Sequence, residues 1–240
     1  MSCKYGFYTC QNTELCDSCE DGDNYENRSK GLRVLVACEY SGAVRDEFIK
    51  LGHDAVSCDL LPTDVPGPHY EGDVFDIIND GWDIMIAFPP CTHLALSGSQ
   101  WFEQKRKDGR QAEALQFVRD LMNAPIDKIA IENPLGIISS QIRKHDQIIQ
   151  PWQFGEPFQK STCLWLKNLP PLVATDVVSK GEFKEWVNKK GVKKRQPLWY
   201  FEALGNKDKA WKVRSQTFKG IAKAMADQWS KPGIIQKTLF

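Results

Sequence analysis

The 240-residue sequence has no excess charge of either sign: 31 lysines and arginines stand against 31 aspartates and glutamates. The molecule as a whole therefore gives no argument for a polyanionic partner. No apolar run is long enough to span a bilayer, and the first ten residues, MSCKYGFYTC, lack the basic-then-apolar layout of a secretory signal. No membrane contact and a cytoplasmic location are the expectations. The three-glycine dinucleotide fingerprint is also missing, since Gly42 alone stands in the first strand-to-helix turn. A nicotinamide cofactor is thereby disfavoured, and a smaller adenosine-bearing ligand stays open. In a cytosolic chain, eight cysteines are expected to be reduced, buried or metal-bound rather than disulfide-paired.

What is present is unevenly placed. Cys3, Cys10, Cys16 and Cys19 form a C-x6-C-x5-C-x2-C cluster in the acidic first thirty residues. Four thiolates are what a tetrahedral structural zinc takes, and the C-x2-C half has a usual chelate spacing; the looser half leaves unliganded thiols on a flexible arm as the other reading. Basic residues gather near the other end, with Lys189, Lys190, Lys193, Lys194 and Arg195 interleaved among Trp186, Trp199, Tyr200 and Phe201. Such a stretch is either a phosphate-and-stacking surface or a solvated loop beside aromatic hairpin strands that include PLWYFEAL. The division expected is a Cys-rich arm over residues 1–31, a catalytic domain over 32–172, a short basic and aromatic segment over 173–212, and a returning helix within 213–240.

From Leu32 strands and helices alternate, which predicts an α/β fold with a mostly parallel, doubly wound sheet. LRVLVAC reads as a strand, followed by a helix with Val44, Phe48 and Leu51 at helical spacing, and then by the strand DAVSCD ending at Asp59. A carboxylate about twenty residues past the glycine turn is placed to grip ribose hydroxyls. Asp73, further on, is either an adenine contact or a turn aspartate. Residues 96–111 show no clear period and read as a mobile loop, and 111–123 as an amphipathic helix.

Two strands stop at prolines. In residues 82–98, WDIMIAFPPCTHLALSG, the apolar strand meets Pro89 and Pro90 and delivers Cys91 to the carboxyl edge of the sheet. Most lone cysteines are small buried hydrophobes, the reading taken for Cys38 and Cys58. The Pro-Pro lead and the small polar loop after it single out Cys91 for nucleophilic attack. KIAIENPLG repeats the device, setting Glu132 and Asn133 just outside the next strand.

Phe88-Pro89-Pro90-Cys91 followed by Glu132-Asn133 resembles the nucleophile and acid motifs of DNA (cytosine-5)-methyltransferases. The short chain, with FQKSTCLWLKNLPPL and the terminal RSQTFKGIAKAMADQW, is similar to compact members encoded by bacteriophages, for which the host cytoplasm is the location. The resemblance implies a Rossmann-like class I methyltransferase fold, with a small Cys-rich arm and a short target-recognition insertion added. It implies that Cys91, led by Pro90, adds to carbon 6 of cytosine while Glu132 acts as acid near ring nitrogen 3 and Asn133 holds the loop or the base edge. It further implies S-adenosylmethionine over Glu39, Tyr40, Ser41, Gly42, Asp59, Leu60, Asp73, Val74, Phe88 and Pro89. DNA is the implied partner, met by Lys160, Thr162 and the basic segment, with the target base flipped from its stack.

The chain departs from the family at three places. The two-arginine motif is replaced by Gln159-Lys160-Ser161-Thr162, and lysine cannot give arginine's bidentate fork. The terminal helix carries Ser215, Gln216 and Thr217 in place of Gly-Asn, and the recognition insertion is small. The same chemistry on a free pyrimidine nucleotide, or a binder without turnover, are the other readings.

Overall fold

The structure is a computed structural model, and it describes residues 31–204 and 217–231. Seven strands form one sheet: β1 (Arg33–Ala37), β2 (Asp54–Asp59), β3 (His69–Glu71), β4 (Ile84–Ala87), β5 (Lys128–Pro134), β6 (Gln147–Ile149) and β7 (Thr162–Lys167). Their order is β3-β2-β1-β4-β5-β7-β6, and every neighbouring pair is parallel except the two made by β7. This is the mostly parallel, doubly wound, Rossmann-like α/β fold expected from the sequence. The order reverses between β1 and β4, and at such a switch point the loops part and leave a crevice at the carboxyl edge.

Both faces of the sheet are covered, which is why the strands read as continuous apolar runs. Alternate residues divide between two cores. Leu35, Met85, Ile129 and Trp165 pack with Leu115, Val118 and Leu121 of α3 (Arg110–Met122). Val34, Val36, Ile84, Ile86, Ala130 and Leu164 face the other way, onto Val44 and Phe48 of α1 (Ala43–Lys50) and Ile221, Met225 and Trp229 of α6 (Lys219–Trp229). Each such side chain taken wholly out of water contributes about 1.5–3 kcal/mol. The helix α6 can sit this close only because residue 220 is glycine: a Cβ there would fall 1.7 Å from the Phe154 carbonyl oxygen. Both oxygens of Glu156 accept from its first amides, those of Lys219 and Gly220.

Several expectations need correcting. Leu51 lies past the end of α1 and is exposed. Residues 96–111 are no loop: a 3-10 turn (Leu96–Trp101) leads into α2 (Phe102–Lys107), with Phe102 buried, and then into α3. Residues of β5 continue to Pro134, so Glu132 and Asn133 are strand residues paired with Leu164 and Cys163 of β7, not groups beyond a stop. A proline is tolerated there because pairing with β4 ends at Ile131, so that side of β5 is an edge by Pro134. PLWYFEAL is helical from Leu198, forming α5 (Leu198–Leu204). The basic segment before it is a separate hairpin, β8 (Phe183–Val187) and β9 (Lys193–Pro197). A single turn, α4 (Ile138–Gln141), follows β5.

Candidate active site

Ala37 of β1, Ala87 of β4 and Ile131 of β5 lie level in the sheet, so Cys38 and Phe88 leave it at the height of Glu132, which is still within β5. Past Phe88 the chain runs through buried Pro89 and exposed Pro90 to Cys91, whose thiol-bearing residue is exposed. The loop is tied at nearly every carbonyl. Asn133 Nδ2 donates to the Pro89 oxygen at 2.8 Å, Lys105 Nζ to the Thr92 oxygen at 2.5 Å, and Gln111 Nε2 to the His93 oxygen at 3.2 Å. The Cys91 oxygen accepts from the amides of Leu94 and Ala95 at 3.0 and 2.9 Å. The nucleophile candidate thus sits outside the core on a loop held from β5, α2 and α3.

Glu132 projects to the α6 side, into a pocket lined by Phe88, Lys160, Thr162, Thr217, Phe218 and Ile221. Burial raises its pKa above the usual carboxylate range, against the pull of the Lys160 charge and a hydrogen bond from the Thr162 side chain. A carboxyl so placed can stay protonated nearer neutrality and donate. Lys160 Nζ also lies 5.6 Å from the centre of the Phe218 ring, a cation–π distance. Phe158, Trp199 and Phe218 meet with ring centroids 5.6–6.0 Å apart, and Trp199 Nε1 donates to the Gln159 oxygen at 3.1 Å. This triad sets α5 against the strand-lead that carries Lys160. The structure therefore brings together Glu132, Lys160, Thr162 and Phe88, with Asn133 on the opposite face of β5 holding the Cys91 loop.

The residues expected around the methyl donor are distributed differently. Glu39 is buried, and its carboxylate accepts from the amides of Val44 at 2.8 Å and Arg45 at 3.4 Å and from Ser41 Oγ at 3.2 Å. It caps α1, and burial pushes its pKa up to about 7 despite those donors. Gly42 has φ 70°, and a Cβ there would press on Arg45 and Val65. Asp59 ends β2 half-buried, with one oxygen accepting from the Leu61 amide at 3.0 Å, while Leu60 beside it is 75% exposed. Tyr40 accepts the Asp64 amide through its carbonyl, which closes the loop after β2 over this edge. Asp73 caps the 3-10 turn Val74–Asp76, accepting from the Phe75 amide at 3.0 Å, and Val74 is core. Asp73 thus fits the turn-aspartate reading.

Sequence reasoning missed Lys105, Gln111 and Arg45. The guanidinium of Arg45 is fully buried, paired with Asp46 at 2.8 Å and donating to Ser57 Oγ, Thr63 Oγ1 and the carbonyls of Val65, Pro66 and Pro68. It braces the whole segment after Asp59. A basic residue on the buried stripe of a helix was the available signal.

The basic hairpin is a two-stranded sheet of its own. Strand alternation puts Lys193 and Arg195 on one face with Glu185 and Val187, and Lys184, Trp186 and Lys194 on the other. The second face meets Phe201 of α5, 5.6 Å from Trp186 and 5.0 Å from Lys184 Nζ. Lys189 and Lys190 occupy the tip, where the Asn188 side chain accepts the amides of Lys190 and Val192. Cys3, Cys10, Cys16 and Cys19 lie outside the described residues, and among the described residues no group of His, Cys, Asp and Glu is arranged to hold a metal ion. No helix among the described residues is long and apolar enough to cross a membrane.

No family model matches this chain, and no curated protein matches it. Among solved structures, it is similar to a candidate DNA modification methyltransferase encoded within an E. coli prophage. The identity is 15%, the match covers 76% of this chain and 69% of that one, and the TM-score is 0.39. The fold stands on the strand order and direction of this chain itself.

Proposed function

We propose that this protein is an S-adenosylmethionine-dependent methyltransferase that modifies carbon 5 of cytosine in DNA through a covalent Cys91 adduct. The observation that carries the reading is the Asn133–Pro89 hydrogen bond. It ties the loop that bears the thiol to the strand that bears the acid, which supports reading the two as parts of one site.

The donor set at the β1–β4 switch fits an adenosyl group. Asp59 would hold the ribose hydroxyls with the oxygen not engaged by Leu61, exposed Leu60 and half-buried Phe88 would flank the base, and Glu39 would keep the first turn of α1 in shape from behind. Bound there, S-adenosylmethionine supplies an electrophilic methyl. Carbon 5 of cytosine is too poor a nucleophile unless a thiolate first adds to carbon 6. Cys91 forms that carbon–sulfur bond, Glu132 delivers a proton to nitrogen 3 as the ring's electrons shift toward carbon 5, and Lys160 holds the acid's position. After methylation, loss of the carbon 5 proton expels the Cys91 sulfur. The hairpin's exposed basic residues would meet the phosphates.

The test pairs labelled S-adenosylmethionine with DNA containing 5-fluorocytosine, in which the fluorine cannot leave as a proton does. A detergent-stable protein–DNA adduct, lost in Cys91→Ala, is expected. Label appearing only in free nucleotide would move the substrate, and DNA binding without transfer or adduct would overturn the enzymatic reading.

A further inference from the structure

Lys105 is on helix α2, whose sequence shows no apolar period, yet its side chain is only 7% exposed. A buried ammonium is costly and is kept where it is paired or used. Its hydrogen bond at 2.5 Å goes to the Thr92 carbonyl, one peptide unit from Cys91. Other charges around the loop do not substitute for it. Arg110 is exposed and ion-paired with Asp108, Glu113 lies further along α3, and His93 is held toward its neutral form by burial and by Lys105 and Arg110. Glu132 and Lys160 oppose one another on the far side of β5.

We propose that Lys105 is a positioning residue for the nucleophile: its buried ammonium fixes the Cys91 loop through the Thr92 carbonyl and favours the Cys91 thiolate. The proposal deepens the reading of Cys91 as nucleophile and rests on it, but it is tested on the thiol alone. A tether would need only a donor at position 105. An activator needs a charge there.

The experiment follows iodoacetamide alkylation of Cys91, in which the sulfur displaces iodide, by peptide mass mapping across pH in the full chain. Lys105→Gln keeps an amide donor for the Thr92 oxygen and removes the charge; Lys105→Arg keeps both; Gln111→Leu removes the neighbouring tether and no charge. The apparent midpoint is expected to rise by about one pH unit or more in Lys105→Gln. It should stay within about 0.3 of wild type in Lys105→Arg and Gln111→Leu, the latter showing a lowered melting temperature. An unshifted midpoint in Lys105→Gln, or an equal shift in Gln111→Leu, overturns the proposal. Absence of methyl transfer by wild type alongside the expected midpoint shift would instead overturn the proposed function and leave this inference standing.

Discussion

Asn133→Ala is the perturbation that most directly probes the coupling of the two strand ends. The amide is buried, and its Nδ2 holds the Pro89 carbonyl at 2.8 Å. A neutral hydrogen bond of this kind contributes about 1 kcal/mol net, and leaving the buried carbonyl without a donor adds about 1–3 kcal/mol. One feature of the site lowers the sum: Asn133 Oδ1 is itself buried with no hydrogen-bond partner among the described residues, so its removal relieves a cost. The expected destabilisation is therefore about 1–2 kcal/mol, read as a lower urea midpoint with unchanged slope. Asn133→Asp should cost more, because it turns acceptor against acceptor in the same buried space. In methyl transfer, a thiol displaced by even about 1 Å costs on the order of 100-fold, and the surviving ties from Lys105 and Gln111 hold the loss nearer tenfold. An Asn133→Ala protein with wild-type urea midpoint and transfer rate would refute the coupling.

Two further outcomes follow from the geometry. Glu39 has a folded pKa raised to about 7, above its unfolded value, so the native state holds its proton more firmly and stability from this group is full below about pH 4.5 and declines as pH rises through 7. The difference in unfolding free energy between Glu39→Gln and wild type should grow across pH 5–7 toward about 3 kcal/mol, and a flat difference would place the charge elsewhere. On the hairpin, replacing Lys189 and Lys190 at the tip together by alanine should flatten the salt dependence of DNA binding by about two logarithmic units per unit, whereas Lys184→Ala, stacked on Phe201, should leave it; equal effects would mean the tip is not the part presented.

The sheet was legible because strands buried on both faces carry uninterrupted apolar residues, and β1, β2, β4 and β5 were all found this way. The site's chemistry was legible for the complementary reason, that Pro89 and Pro90 punctuate one such run. What failed depended on partners distant in sequence. Glu132 looks like the residue after a strand until Leu164 pairs with it. PLWYFEAL looks like a strand until Trp199 closes a ring triad with Phe158 and Phe218. Residues 96–107 fold as two pieces of six residues each, too short for a helical period to register. Arg45 showed only as a basic residue on the buried stripe of α1, and Lys105 carried no pattern at all; the carbonyls that meet them in the fold explain their burial.

Those carbonyls also say why the loop is held by side chains. Pro89 and Pro90 carry no amide hydrogen, so the turn that presents Cys91 cannot knit itself to the sheet as an ordinary strand extension does. The acceptors at 89, 92 and 93 are met instead by Asn133, Lys105 and Gln111, from three separate elements. A loop secured by its own backbone would follow one strand. This one follows the relative placement of β5, α2 and α3, so its thiol is fixed relative to Glu132 by the tertiary fold as a whole. That arrangement removes orientational freedom before substrate arrives. It also makes α2, through Lys105, a determinant of how the thiol reacts.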